Sequence, residues 1–271
     1  MPIRTSNKSS SKVSLGLPAL VVLAGLSAPA AALQPLITDD TGTQGTGGNQ
    51  VEFSYNQDRS RVYGETERVH AVPVVYTYGV TDSLDLGIGV EYTRINSSVS
   101  GGDANGFANT VFGAKWRFFE SEASGTSLAI KPEIAIPVSS SREAEGLGSG
   151  ETSGALTFIL SQDVPFGAIH FNAGVGRDRF RNTEDNPNTT TKRLSVAPVW
   201  DVSEQWKLAL DLGVESAKAD NETVRTKFVE IGAIYSPSKD VDLALGFIHA
   251  RDDESPKTKT DSATLGVTWR F

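Results

Sequence analysis

The sequence contains no cysteine and only three histidines, His70, His170 and His249. The missing thiol excludes a disulfide framework, a cysteine-ligated zinc site and a cysteine nucleophile. Basic residues are in short supply, 25 Lys+Arg against 33 Asp+Glu. A chain this acidic lacks the basic face that a nucleic-acid partner demands. Beyond the N-terminus no apolar run approaches the ~20 residues of a spanning helix. Such a chain can cross a membrane only as a closed barrel, because only closure satisfies every backbone group in lipid.

What is present begins with a three-part N-terminus. Residues 1–12 carry Arg4, Lys8 and Lys12, residues 13–26 are apolar, and Ser27–Ala32 is a run of small residues with one proline. This is the plan of a secretory signal peptide, with cleavage expected after Ala32. Removing residues 1–32 leaves 22 of the 25 basic residues against 33 acidic ones, a net charge of −11. Residues 33–50 are rich in Gly and Thr and lack sustained periodicity, so irregular backbone is expected there.

From Val51 to Phe271 the pattern is repetitive. The final stretch, Asp261–Phe271, alternates Ala263, Leu265, Val267, Trp269 and Phe271 with Thr264, Gly266, Thr268 and Arg270. Strict alternation marks a strand with a different solvent on each face. Twelve strands are expected, near 51–58, 67–79, 84–95, 106–119, 127–137, 152–163, 168–179, 191–200, 206–216, 224–236, 241–251 and 261–271. The connections alternate between short turns and longer polar loops, the asymmetry of outer-membrane barrels. Trp116, Phe118, Trp200, Trp206, Tyr235, Trp269 and Phe271 fall at the strand ends opposite the longer loops, as one interfacial girdle would. The fold expected is all-β, an antiparallel up-and-down transmembrane barrel of about 12 strands over 51–271, in the outer membrane of a Gram-negative bacterium. Outer-membrane lipid is then a partner; a terminal Phe after such a strand resembles the C-terminal signature of bacterial outer-membrane barrels, and the resemblance implies that Phe271 is the signal offered to the barrel-assembly machinery.

The parity opposite the apolar one should face the lumen. It carries Glu52, Asp85, Glu91, Glu133, Asp211, Glu230 and Asp242, with Lys115, Arg117, Lys131, Arg193, Lys207 and Arg270, and with His170 and Asn172. Charges of both signs inside a barrel can form a filled cluster or a constriction that screens solutes. Inward glycines such as Gly87, Gly213 and Gly246 leave room. Eight strands are just filled by side chains and sixteen leave a wide channel, so twelve fit a narrow pore. Thr38, Asp39 and Asp40 in the 33–50 segment are candidate plug residues at the periplasmic mouth, where Asp39 and Asp40 would meet Lys115, Arg117, Lys207 and Arg270. Two adjacent carboxylates without further oxygen ligands are no calcium site; no metal or cofactor is expected.

The run Pro35-Leu36-Ile37-Thr38-Asp39-Asp40-Thr41-Gly42-Thr43-Gln44-Gly45, followed by Gln50-Val51-Glu52, resembles the opening of a bacterial family of outer-membrane transporters linked to the MetA pathway of phenol degradation. The resemblance implies uptake of a small-molecule solute, hydrophobic or aromatic, through a polar lumen. Two alternatives stand beside this channel. One is an outer-membrane lipid hydrolase, disfavoured because no G-x-S-x-G elbow occurs and no serine sits beside His70 or His249 on the same face of its strand. The other is a structural or adhesive barrel without transport.

Overall fold

The computed structural model describes residues 34–62, 64–98, 102–184, 186–220 and 222–271. The expected signal peptide, 1–32, lies outside the described residues. The described residues form thirteen strands: β1 (Asn49–Val62), β2 (Glu65–Thr81), β3 (Leu84–Ser97), β4 (Ala104–Phe107), β5 (Thr110–Ser121), β6 (Thr126–Ile136), β7 (Ser153–Val164), β8 (Gly167–Asp178), β9 (Thr189–Asp201), β10 (Trp206–Ala219), β11 (Glu222–Ser238), β12 (Val241–Asp252) and β13 (Lys259–Arg270). Twelve of them close an antiparallel barrel, with β1 paired to β2 on one side and to β13 on the other. Closure leaves no long open edge. The short β4 is an extra strand on β3, matching Tyr92–Ile95 with Phe107–Ala104. The strand expected at 106–119 is therefore broken at Ala108 and Asn109.

The outward parity is the lipid face. Phe53, Leu86, Phe112, Leu194, Ile231, Phe247 and Leu265 all lie exposed on it. At the end of the barrel with the short turns, Phe166 stacks on Trp200 at 5.6 Å, Trp206 on Tyr235 at 4.7 Å and Trp269 on Phe271 at 4.5 Å. The expected girdle is therefore present. All three ladder irregularities, near Gly79, Phe119 and Pro237, fall at this turn end.

The opposite, loop end differs from expectation in two ways. Arg59–Thr66 and Ala217–Thr223 were expected to be loops, but the ladders run on through Arg61↔Thr66 and Ala219↔Glu222. Two of the six connections there are thus as tight as the turns. The longest, residues 137–152, contains one short helix, α1 (Ser140–Ala144), N-capped by Ser139. This loop folds inward. Buried Glu143 accepts the Arg181 backbone N–H at 2.6 Å, and Leu147 is 3% exposed.

Candidate functional site

The inward parity builds the site, and the 34–48 segment organises it. The segment leaves β1 through Gly47 and Gly45, whose φ of +80° and +74° suit glycine. Gly79 lets it pass, since a Cβ there would lie 1.8 Å from the Gly45 carbonyl oxygen. In the adjoining turn Asp82 accepts the Thr46 hydroxyl at 2.6 Å and its N–H at 3.0 Å. Those two bonds hold the Asp82 carboxyl below the usual range.

From there the segment circles the inner wall. The Gln44 N–H donates to Asp85 on β3 at 3.0 Å. The Thr41 hydroxyl meets Ser127 on β6 at 2.5 Å, and its N–H meets Ser161 on β7 at 3.1 Å. The Asp39 carboxylate takes Lys115 Nζ of β5 at 2.9 Å and Lys131 Nζ of β6 at 2.8 Å, all three side chains being under a tenth exposed. The Asp39 backbone exchanges two 2.8 Å bonds with the Asn172 amide on β8. The Thr38 N–H donates to Asp211 on β10 at 2.7 Å, and the Thr38 hydroxyl lies 2.6 Å from Ser195 on β9. The Ile37 N–H reaches Glu230 on β11 at 3.1 Å.

The far end of this arc rests on glycine. A Cβ on Gly246 would lie 2.8 Å from Pro35, and one on Gly232 3.0 Å from it. Gln34 lies against Gly266 in the same way. Leu36 packs with Ala197, Val199 and Ala209 in a buried cluster. Inward glycines and alanines on β9 to β13 thus make the recess in which the arc sits.

All fifteen lumen residues expected from the sequence lie on strands at inward positions, but they form three groups. Lys115, Lys131, Asn172, Asp211, Glu230 and Asp85 hold the segment directly; His170 joins through Ser161 at 2.8 Å. Glu52, Glu91, Glu133 and Arg193 face the cavity on the loop side; Arg193 is paired to Glu215 at 2.6 Å, and Glu91 accepts the Thr93 hydroxyl at 2.8 Å. Arg117, Lys207, Asp242 and Arg270 lie toward the turn end. There Arg117 pairs with Glu120, Lys207 with Asp201 and Arg270 with Asp242. So of the four bases expected to meet Asp39 and Asp40 only Lys115 does, and Lys131 takes the place of the other three. Asp39 and Asp40 also differ. Asp40 is 3.9 Å from Lys115 with its side chain 27% exposed.

Two cavities flank the segment. The loop-side cavity has a volume near 400 Å³ and the turn-side one near 460 Å³. Gln34 and Glu52 line both cavities. The loop-side cavity has an apolar wall made by Val69, Ala71, Pro73 and Val75 of β2 and by Val111 and Ala135, and Leu36 lies at its base. Sequence reasoning missed this wall. On β2 both faces are apolar, so alternation carries no signal.

The family model described as "Putative MetA-pathway of phenol degradation" matches residues 38–271. The chain belongs to this family. Among solved structures it is similar to an outer-membrane channel from Pseudomonas putida F1, at 15% identity over 87% of this chain and 100% of that one, with a TM-score of 0.68. It is similar to the beta domain of the Bordetella autotransporter BrkA, at 14% identity over 83% and 100%, TM-score 0.56. The NanC porin matches at 10% identity over 80% and 98%, TM-score 0.51. At such identities the likeness is one of fold. No curated protein matches the sequence. The closed barrel, its lipid-facing band and these likenesses make the protein an outer-membrane β-barrel.

Proposed function

We propose that the protein is an outer-membrane channel for small, partly apolar molecules, kept closed by its own Gln34–Gly48 segment, and that solutes cross it chemically unchanged. One observation carries the reading: two cavities lie in line along the barrel, separated by a segment that hydrogen bonds, the Asp39 ion pairs and the packing of Leu36 fasten to the wall. A 400 Å³ cavity suits a one-ring compound. Its apolar wall offers the ring a dry surface, and Asn56, Glu91 and Thr93 offer polar groups. The family's link to phenol degradation favours the same class of solute. The loop end faces the cell exterior and the turn end the periplasm in this reading. Phe271, exposed beside Trp269, is the group offered to the barrel-assembly machinery.

The hydrolase alternative fares poorly. His249 does bond Asp261 at 2.8 Å on the outward face. Its outward neighbours, however, are Val229, Phe247, Arg251, Lys259 and Ala263, none of them a nucleophile. His70 bonds Tyr55 and is likewise without an adjacent serine on that face. An adhesive role is disfavoured because two outer connections are tight turns. The test is to delete Leu33–Gly48 behind the intact signal. Single-channel conductance in planar bilayers should rise, and vesicles carrying the variant should swell faster in a neutral one-ring solute. A folded deletion variant with the parent's conductance would reject the closed-channel reading.

A further inference from the structure

The outward face near the loop end carries a row of cations. On β13, β12 and β11 the parity that holds Leu265, Leu245 and Ile231 in the lipid band continues to Lys259, Arg251 and Lys227. On β1 and β2 it continues to Arg59, Arg61 and Arg68. The ladder sets these side chains opposite one another: Arg61↔Lys259, Lys259↔Arg251, Arg251↔Lys227 and Arg59↔Arg68. Like charges directly opposite on one face are destabilising. The rung Arg61–Lys259–Arg251–Lys227 crosses four adjacent strands, and the next rung sets Arg68 and Arg59 in line with Asp261, so the opposed cations favour an external anion.

The protein supplies almost none. Asp261 is the one carboxylate on this parity of the five strands among the described residues, and it is already engaged by Arg61 at 3.2 Å and by His249 at 2.8 Å. The buried Arg59 Nε has no hydrogen-bond partner. Among the described residues the side chains of Arg68, Lys227, Arg251 and Lys259 make no hydrogen bond or ion pair.

Height identifies the occupant. Ten residues of β13 separate Trp269 in the turn-end girdle from Lys259. At ~3.4 Å per residue and a strand tilt near 40° they rise roughly 26 Å. That matches the ~25 Å apolar band of an outer-membrane barrel. The cations therefore emerge where hydrocarbon ends and lipid headgroups begin. We propose that this row binds the phosphate groups of the phosphorylated glycolipid in the outer leaflet. The contact is charge-assisted, as guanidinium and ammonium groups make with phosphate, and it neutralises the opposed cations around β2-β1-β13-β12-β11.

The test uses the full folded chain in nonionic maltoside micelles, with lipid A as probe, bisphosphorylated or dephosphorylated. Native mass spectrometry counts bound lipid. The parent should retain at least fivefold more of the bisphosphorylated form, and Lys227→Gln/Arg251→Gln/Lys259→Gln should lose that preference. Lys257→Gln removes a cation from a loop instead of the wall and should keep it. Millimolar inorganic phosphate should not displace the lipid; displacement would reduce the row to a simple anion site and overturn the assignment. A second readout is thermal unfolding of the heat-modifiable band. Without lipid A the triple variant should be as stable as the parent or more so, since opposed charges are gone. With bisphosphorylated lipid A the parent should be the more stable. Equal retention of the two lipids by the parent, or no reversal of stability, would refute the proposal.

Discussion

Asp39→Asn should loosen the segment far more than Asp40→Asn, although the two residues are adjacent. The Asp39 carboxylate is 4% exposed and sits between two ammonium groups that are themselves 6% and 8% exposed. An amide keeps the shape and leaves the backbone bonds to Asn172 in place. It also leaves Lys115 and Lys131 facing one another without their shared anion. Removing one partner of a buried pair costs about 3–5 kcal/mol. Asp40 is half-buried at 3.9 Å, where a pair contributes only about 0–1 kcal/mol. With ~1.4 kcal/mol per tenfold change in an equilibrium, Asp39→Asn should raise the open probability of single channels by about two to three and a half orders of magnitude. Asp40→Asn should change it by less than about tenfold.

The assay is planar-bilayer recording of both variants, with heat-modifiable gel migration to establish that the barrel is folded. Salt gives an internal control. Screening acts weakly on buried pairs, so raising the electrolyte from ~0.1 M to ~1 M should not mimic Asp39→Asn. Equal open probabilities for the two folded variants would refute the reasoning, and so would a parent channel that opens on salt alone.

Three further outcomes are expected. Gly246→Val drives a side chain into Pro35, which a bare Cβ would already approach to 2.8 Å, so overpacking of about 1–3 kcal/mol should dislodge the arc and raise conductance while the strand ladder stays intact. Leu210→Arg sets a cation on the lipid face near mid-strand and should cost about 2–4 kcal/mol, whereas Ser262→Arg faces the loop-side cavity and should fold in lipid with the parent's yield. Single cysteines at Gly146 and Ser238, labelled on intact cells with an impermeant thiol reagent, should react at 146 and not at 238; the reverse would invert the topology.

Alternation was readable wherever the two solvents differed. Leu84–Tyr92 and Trp206–Val214 separate leucine, isoleucine and valine from Asp85, Glu91, Asp211 and their like, and both segments are strands in that register. It failed where the lumen is itself apolar. Val69, Ala71, Pro73 and Val75 point inward from a strand whose outward face carries Val72, Val74 and Tyr76, so no face could be told apart. Strand ends were misplaced beyond the lipid band, because residues such as Arg59 and Arg61 are polar on either parity and only the ladder extends them. The partners of Asp39 were half readable. Sequence parity places Lys115 and Lys131 inward equally well. Choosing Lys131 over Lys207 and Arg270 needs the depth at which the segment circles the wall, and depth is a property of register between strands.

That depth explains why the lower lumen holds so many buried charges. A twelve-stranded wall is too wide for its own side chains to fill, and the 34–48 segment completes the packing. Each inward polar group that meets it gains a specific partner: Asp211 a backbone N–H and a hydroxyl, Glu230 an N–H, Asn172 a backbone pair, Lys115 and Lys131 a carboxylate. None of these groups would tolerate a dry lumen alone, since an unpaired buried charge is costly. Withdrawal of the segment must therefore be coupled to entry of water along the wall. In the channel proposed above, the same residues that keep the closed state dry would then line a hydrated passage, while the apolar wall of β2 would stay unchanged beside it. A polar lock against an apolar wall would let such a channel close without occupying the surface on which a partly apolar solute would bind.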